Sequence, residues 1–498
     1  MSTGADTKVT VGDSSNDGNL NMAQQQSSRR GFCSFRHGMA LILHLCNFSI
    51  YTQQMNLSIA IPAMVNNTAS PSQPNASTET PFTESQHYWN ETLKGFKAVA
   101  PPTYDWSPEI QGIILSSLNY GSFLAPIPIG YMAGILGAKY VVGAGLFISS
   151  VLTFFIPLAA DAGVALLIVL RVVQGIAQVM VLTGQFSIWV KWAPPLERSQ
   201  LTSIATSGSV LGSFIILLVG GVLCQTIGWP YIFYIFGGIG CACCLLCFPL
   251  IYNDPVNHPF ISASEKTYIV CSLAQQDPSP GWSLPIKAMI KSLPLWAILV
   301  SYFCEYWLLH IIMAYTPTYI NSVLQVNLRD SGILSSLPFV VGSICIILGG
   351  LLADFLLSRK ILRLITIRKL FTAIGVLFPS VILVFLTWVR SSHSITMTFL
   401  VLCSAMSSLC EAGALINFLD IAPRYSSFLK GLMQVFAHTA GAISPSTVGF
   451  FISQDSEFGW RNVFLLSAAI NILGLAFYLI FGSADLQDWA KEQTFTHL

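Results

Sequence analysis

The chain has 498 residues and a formal net charge of +1; 53% of its residues are hydrophobic and only 9% are charged. A soluble domain carries roughly 25% charged residues, so this chain cannot cover a soluble surface and must present apolar surface to lipid. The balanced charge gives no footing for a nucleic-acid partner.

Residues 1–36 predict a disordered cytosolic tail, because their first 28 positions are dominated by Gly, Ser, Asn, Asp and Gln. They contain no apolar core of a secretory signal, and Ser2 stands where N-myristoylation needs glycine. Crossing a hydrocarbon core of about 30 Å takes roughly 20 apolar residues. Runs of that kind occupy 38–62, 109–132, 139–159, 163–187, 201–223 and 230–252, then 294–320, 331–356, 368–388, 395–418, 428–450 and 461–482. They predict an all-α membrane protein of twelve transmembrane helices, in two six-helix bundles over 37–252 and 294–482. A polar loop at 63–108, a charged cytosolic linker at 253–293 and a second cytosolic tail at 483–498 complete the chain.

Basic residues set the expected orientation. Eighteen of the 24 Lys and Arg fall on the side of the two chain ends and five on the other, with Arg171 left inside a span. Both termini are therefore expected in the cytosol. Three acceptor sequons for glycosylation, at Asn66, Asn75 and Asn90, all lie in the 63–108 loop, on the side expected outside. The twelve cysteines show no ligand or disulfide spacing and read as small hydrophobes within apolar runs.

A repeat offset by about 220 residues joins the halves. Gly130-Tyr-Met-Ala-Gly134-Ile-Leu-Gly137-Ala-Lys139 ends the second span as Gly350-Leu-Leu-Ala-Asp354-Phe-Leu-Leu-Ser-Arg359-Lys360 ends the eighth. Ala193-Pro-Pro-Leu-Glu197-Arg198-Ser199 follows the fourth span as Ala422-Pro-Arg-Tyr-Ser426 follows the tenth. Two similar bundles rocking about a central site is the arrangement alternating access needs. Asp354 with Arg359, and the Glu197-Arg198 loop, are candidate cytosolic gating groups; the competing reading is a topology anchor.

Ionisable groups within spans are costly and mark function. Arg171 in the fourth span offers a planar fork to a carboxylate or phosphate, with Gln174, Gln178 and Gln185 following on one helical face. That stripe predicts a wet cavity that takes an anion; pairing of Arg171 with a helix carbonyl or with Glu411 is the structural alternative. Tyr51, Gln53, Gln54 and Asn56 make the first span too polar for a lipid face. In the seventh span, Tyr302 and Tyr306 could stack on a flat aromatic anion with Glu305 nearby, and Tyr315 and Tyr319 suit either the cavity or an interfacial belt. Glu305 and Glu411 could pair with Arg171, coordinate Na⁺ or carry a proton. His44, His310 and His438 read as packed helix residues. No metal-ligand cluster, nucleotide-binding loop or hydrolase motif is present in the sequence, so an enzyme and direct use of ATP are not expected.

The Gly350–Lys360 loop resembles the signature of the major facilitator superfamily. Trp192-Ala-Pro-Pro-Leu-Glu-Arg-Ser199, Asn56-Leu57-Ser58 and Leu419-Asp420-Ile421-Ala422-Pro423-Arg424-Tyr425 resemble its anion–cation symporter branch, solute carrier family seventeen, over about residues 37–482. The resemblance implies the major facilitator fold, with transport of urate, aromatic carboxylates such as aminohippurate, iodothyronines or sodium-coupled phosphate. It also implies an apical plasma membrane of epithelium, a monomer, no cofactor, and Na⁺ as a candidate coupling ion. Arg171 matches the fourth-helix Arg of the family. Gln54 stands where the sialic acid and glutamate branches carry Arg, and Gln178 where they carry an acid. Gln174 replaces a second acid of the sialic acid branch, and Glu305 an Arg of the glutamate branch. Fourth-helix proton coupling is thus not expected. The other readings are a proton-coupled symporter of acidic sugars or amino acids, and a membrane receptor without transport.

Overall fold

A computed structural model describes residues 34–65, 103–123, 125–194, 198–274, 285–388, 393–454 and 458–491. Among these residues the regular structure is helical throughout, apart from one isolated bridge between Val65 and Tyr104. Twelve spans follow in order. The first half holds Phe35–Met64, a second span described as Pro108–Ser122 and Pro126–Leu136 on either side of residue 124, a bent third (Ala138–Phe154 and Ile156–Ala162), Val164–Trp192, Arg198–Thr226 and Pro230–Cys247. The second half holds Leu293–Val323, Leu328–Ser358, Leu364–Leu386, His393–Ser407, Ser426–Gln454 and Gly459–Phe481.

Among the described residues ten helices are apolar and long enough to cross a membrane, eleven counting the bent third span. The first span has the length, 30 residues, but its buried Asn47, Gln53 and Asn56 show why its face is polar. The second span, expected over 109–132, runs as one apolar span over Pro108–Gly130. One expected run is corrected. The tenth span, expected unbroken over 395–418, leaves the α-helix after Ser407. A 3₁₀ turn at Ser408–Ala412 and an irregular stretch lead to Phe418–Ile421. The 50° bend of the third span falls at Phe155, beside Pro157.

The halves meet along two seams, the second span against the eleventh and the fifth against the eighth, with the first span against the seventh between them. Second and eighth spans, like fifth and eleventh, are equivalent positions of the repeat, so the seams are pseudo-symmetric copies. Close approach is bought by glycine. A Cβ on Gly112 would stand 2.5 Å from the Pro445 carbonyl oxygen and 3.1 Å from Gly449 Cα; one on Gly332 would stand 2.4 Å from Leu217 O and 3.1 Å from Gly221 Cα.

These glycines lie at the ends of the seams remote from the two chain termini. On that distal side one hydrophobic core spans both halves, joining Ile59, Ile61, Ile216 and Trp229 to Trp307, Tyr315, Ile320 and Trp460. On the terminal side the cores are separate, one around Leu43, Trp189 and Cys247 and one around Ile298, Tyr302 and Leu429. The molecule is thus zipped on its distal side and divided on its terminal side. Outward-facing Leu245 and Leu473, 77% and 71% exposed, belong to the apolar surface a bilayer would cover.

Candidate functional site

The cleft between the halves begins where the distal core stops. Gln54 and Ser58 of the first span, Asn119 of the second, Arg171 of the fourth and His310 of the seventh line about 390 Å³ of empty space, with Pro445 of the eleventh at its edge. Arg171 is only 2% exposed. It donates to the carbonyls of Gln53 at 3.4 Å and Gln54 at 3.5 Å and to the Gln174 amide oxygen at 3.0 Å, leaving its Nε without an acceptor. Among the described residues it has no acidic partner, so of the alternatives the carbonyl pairing is found, not one with Glu411. The guanidinium is anchored by backbone yet borders the cleft.

The glutamines do not form a cleft-lining stripe. Gln174 donates to Thr153 Oγ1 at 2.9 Å and Ser149 O at 3.4 Å, and Gln178 to Ser149 Oγ at 3.4 Å. Gln185 and Asn47 exchange amide hydrogen bonds at 3.0 and 3.1 Å. Gln53 completes this net, accepting from Ser149 at 2.6 Å and donating to Ser150 at 2.9 Å. The fourth helix turns this face onto the first and third spans, and amides buried in apolar surroundings must find partners there. Asn56 is fully buried, with neither side-chain amide atom partnered.

On the terminal side of the cleft the first span carries Tyr51 one turn before Gln54, and the seventh carries Tyr302 and Tyr306 at four-residue spacing before His310, with Tyr302 buried. The Tyr302 and Tyr306 rings stack at 4.6 Å with a 28° tilt, and the Tyr302 hydroxyl donates to that of Tyr306 at 3.3 Å. Lys430, counted from sequence among the cytosolic cations, lies instead in the second turn of the eleventh span. Its ammonium donates to the Tyr302 hydroxyl at 3.1 Å and interacts electrostatically with Tyr51. Sequence reading missed it because it sits near a helix end, where a lysine ordinarily reaches water; its i+8 partner His438 was the available signal of an inward face. His438 itself pairs with Asn119 Oδ1 at 3.2 Å across the halves.

Glu305 does not share that cleft wall. It turns into the second bundle, where it accepts the Ser407 hydroxyl. Glu411 is exposed, within electrostatic reach of Glu305, Tyr302 and Tyr306. Tyr315 and Tyr319 are buried in the distal core, Tyr315 donating to Pro445 O at 3.0 Å, so the interfacial-belt reading is set aside for both. His44 bonds Ile204 O at 3.1 Å, as a packed residue does.

The ion pairs on the terminal side differ from those expected. Arg359 is exposed and lies near the Phe355 ring, while the side chains of Asp354 and Arg198, and all of Glu197, lie outside the described residues, as do Asn66, Asn75 and Asn90. Arg368 and Asp420 instead form a fork at 2.7 and 3.3 Å, with Arg368 also holding Ala412 O at 2.8 Å. In the first half Glu265 of the linker accepts from the backbone of Phe35 and Arg36 and pairs with the Arg36 guanidinium at 3.2 Å. Each pair stays within one half or ties the linker to it, so none of them latches the halves together.

The fold and the sequence have clear relatives. The chain matches the Major Facilitator Superfamily over residues 43–389. It is 86% identical over 498 residues to the Homo sapiens "Probable small intestine urate exporter", covering all of both chains. It is 58% identical over 479 residues to the Mus musculus "Sodium-dependent phosphate transport protein 3", covering 96% of this chain and all of that one. Among solved structures, a bacterial homologue of the human lysosomal transporter Spinster, inward-facing and unoccupied, superposes with a TM-score of 0.66 at 14% identity, covering 90% of this chain and 97% of that one. Twelve spans in two repeated halves, zipped by two pseudo-symmetric seams around a polar cleft, together with these relatives, establish the chain as a multi-pass member of the major facilitator superfamily, in the solute carrier seventeen branch of anion–cation symporters.

Proposed function

We propose that this chain carries organic anions across the plasma membrane by alternating access, with urate and flat aromatic carboxylates of the aminohippurate type as substrates, and iodothyronines within the same class. The names of the relatives, a urate exporter and a sodium-dependent phosphate transport protein, support an anionic cargo. The observation that carries the reading is the Lys430 ammonium on the Tyr302 hydroxyl at 3.1 Å, beside a stacked tyrosine pair and on the terminal side of the cleft that Arg171 and His310 line. A cation supplies long-range attraction, tyrosine faces and hydroxyls suit a planar anion, and Arg171 adds a fixed positive charge deeper in.

With both chain ends in the cytosol, the divided side is the cytosolic one and the fold is inward-facing. Substrate would enter or leave past Glu411 and Lys430, and the opposite state would require the glycine seams to part. The small-intestine relative supports an epithelial, apical address. Phosphate, a compact anion, fits the cations but makes no use of the tyrosine pair, which favours the aromatic class.

The test is uptake of labelled urate and aminohippurate into proteoliposomes under an imposed membrane potential. Saturable uptake of both, weakened in Lys430→Gln, is the expected result. No flux of any labelled anion by well-folded wild-type protein, combined with binding alone, would instead favour a receptor.

A further inference from the structure

A second, small cavity lies inside the second half between the seventh, ninth, tenth and twelfth spans, apart from the anion cleft. Ser301, Glu305, Thr372, Cys410 and Asn471 supply its polar wall. Its chemistry is lopsided. Glu305 is a half-buried carboxylate whose neighbours are the Ser407 hydroxyl and the Cys410 thiol, and among the described residues no Lys, Arg or His stands within salt-bridge distance of it. Ser301 Oγ, one turn away on the same helix, and Asn471 Oδ1 on the twelfth span are both buried without a hydrogen-bond partner; Asn471 is 3% exposed.

The tenth span breaks at this place. Its α-helix ends at Ser407 and its 3₁₀ turn at Ala412, so the regular i+4 ladder is interrupted beside the carboxylate at the negative end of a half-helix. There Cys410 O accepts from Gly413 N at 3.0 Å and Leu415 N at 3.2 Å and keeps its remaining lone-pair capacity. The break is braced: Thr372 accepts from Ala414 N at 2.8 Å and Arg368 holds Ala412 O at 2.8 Å. Irregular backbone at membrane depth persists where it is buried in protein or lines a cavity, and half-helix ends with unwound carbonyls are where transporters hold coupling cations.

We infer that this cavity is a sodium site, in which Na⁺ is held by the Glu305 carboxylate, Asn471 Oδ1, Ser301 Oγ and carbonyl oxygen from the broken tenth span. All four are hard oxygen donors, and one carboxylate balances one monovalent charge, whereas Ca²⁺ sites gather several carboxylates. A proton would neutralise Glu305 but leave Ser301 and Asn471 unpaired. Occupancy ties the seventh, tenth and twelfth spans together one residue from Glu411, at the mouth of the anion cleft. The inference rests on the anion-transport reading for its role as a coupling site, but its occupancy can be measured without any anion.

Binding of radiolabelled Na⁺ to purified full-length protein in nanodiscs, free of anion substrate, is the test. Wild type should bind saturably, with competition by unlabelled Na⁺ and not by equal K⁺. Ser301→Ala and Asn471→Leu should each weaken binding about tenfold or more, and Glu305→Gln should abolish it. Ser301→Ala removes a single oxygen, so it decides the matter if the bulkier variant fails to fold. No saturable binding by wild type, or undiminished binding by monodisperse Ser301→Ala, overturns the site. Urate uptake measured in parallel separates the two readings. Uptake without Na⁺ binding leaves the anion carrier standing and removes the sodium site, and Na⁺ binding without any anion flux does the reverse.

Discussion

The Lys430 ammonium reaches the Tyr302 hydroxyl across 3.1 Å, from the eleventh span to the seventh, and places a cation between the halves two helical turns before the His310 that lines a cleft with Arg171. A lysine there is a compact charge on a flexible stem, able to leave Tyr302 for a substrate carboxylate and return.

For that reason Lys430→Gln should raise the apparent KM for urate about tenfold, equivalent to roughly 1.4 kcal/mol, with surface expression unchanged. Lys430→Arg keeps the charge and should retain most of the affinity. Concentration-dependent uptake for both variants makes the comparison; equal KM values for wild type and Lys430→Gln would remove Lys430 from the site.

Arg171 plays a double part, and its replacement should show both. Arg171→Ala leaves the Gln174 amide oxygen without its donor, at a cost of about 1–3 kcal/mol for a buried unsatisfied group, and takes the second donor from the Gln53 and Gln54 helix carbonyls. It also removes the cation from the cleft. Uptake should be lost and the melting temperature lowered together. Loss of stability with near-normal uptake in the surviving protein would reduce Arg171 to a strut between the first and fourth spans.

The glycine seam predicts a conformational phenotype. Gly112→Val puts side-chain atoms where Pro445 O and Gly449 Cα now stand, so the second and eleventh spans cannot close on the distal side. Transport should fall at least about tenfold, in line with the kilocalories that overpacking costs. A cysteine at Ser446, which now bonds Ser116 and Tyr120, should become reactive toward an impermeant thiol reagent applied from the distal side. Unchanged labelling would mean that the seam does not set this state.

Asp420 and Arg368 form the bidentate pair beside the broken tenth helix, 16% and 12% exposed at their side chains. Breaking a largely buried pair strands a charge, which costs about 3–5 kcal/mol. Asp420→Asn should therefore destabilise the protein strongly, and the further change Arg368→Gln should recover part of the loss. Thermal unfolding of the two single variants and the double variant gives the coupling. Additive losses would show that the pair is not energetically linked.

The membrane class, the twelve spans and the two-half repeat were legible from residue order alone, because the length of an apolar run is a local property of the chain that no neighbour can change. Arg171 could be singled out for the same reason, as a charge inside a span. Which polar groups face the cleft was another matter. Helical periodicity places Gln174 and Gln178 on one face but cannot say whether water or the Ser149–Thr153 turn of the third span meets that face, and packing chose the latter. Lys430 looked like a cytosolic charge until the seventh span was laid against the eleventh. The break after Ser407 carries no proline to announce it, and only the ninth span's Arg368 and Thr372, which capture the freed Ala412 carbonyl and Ala414 amide, hold it open. Partners distant in sequence decide where a buried polar group's hydrogen bonds go, and so function here became visible once the helices were assembled.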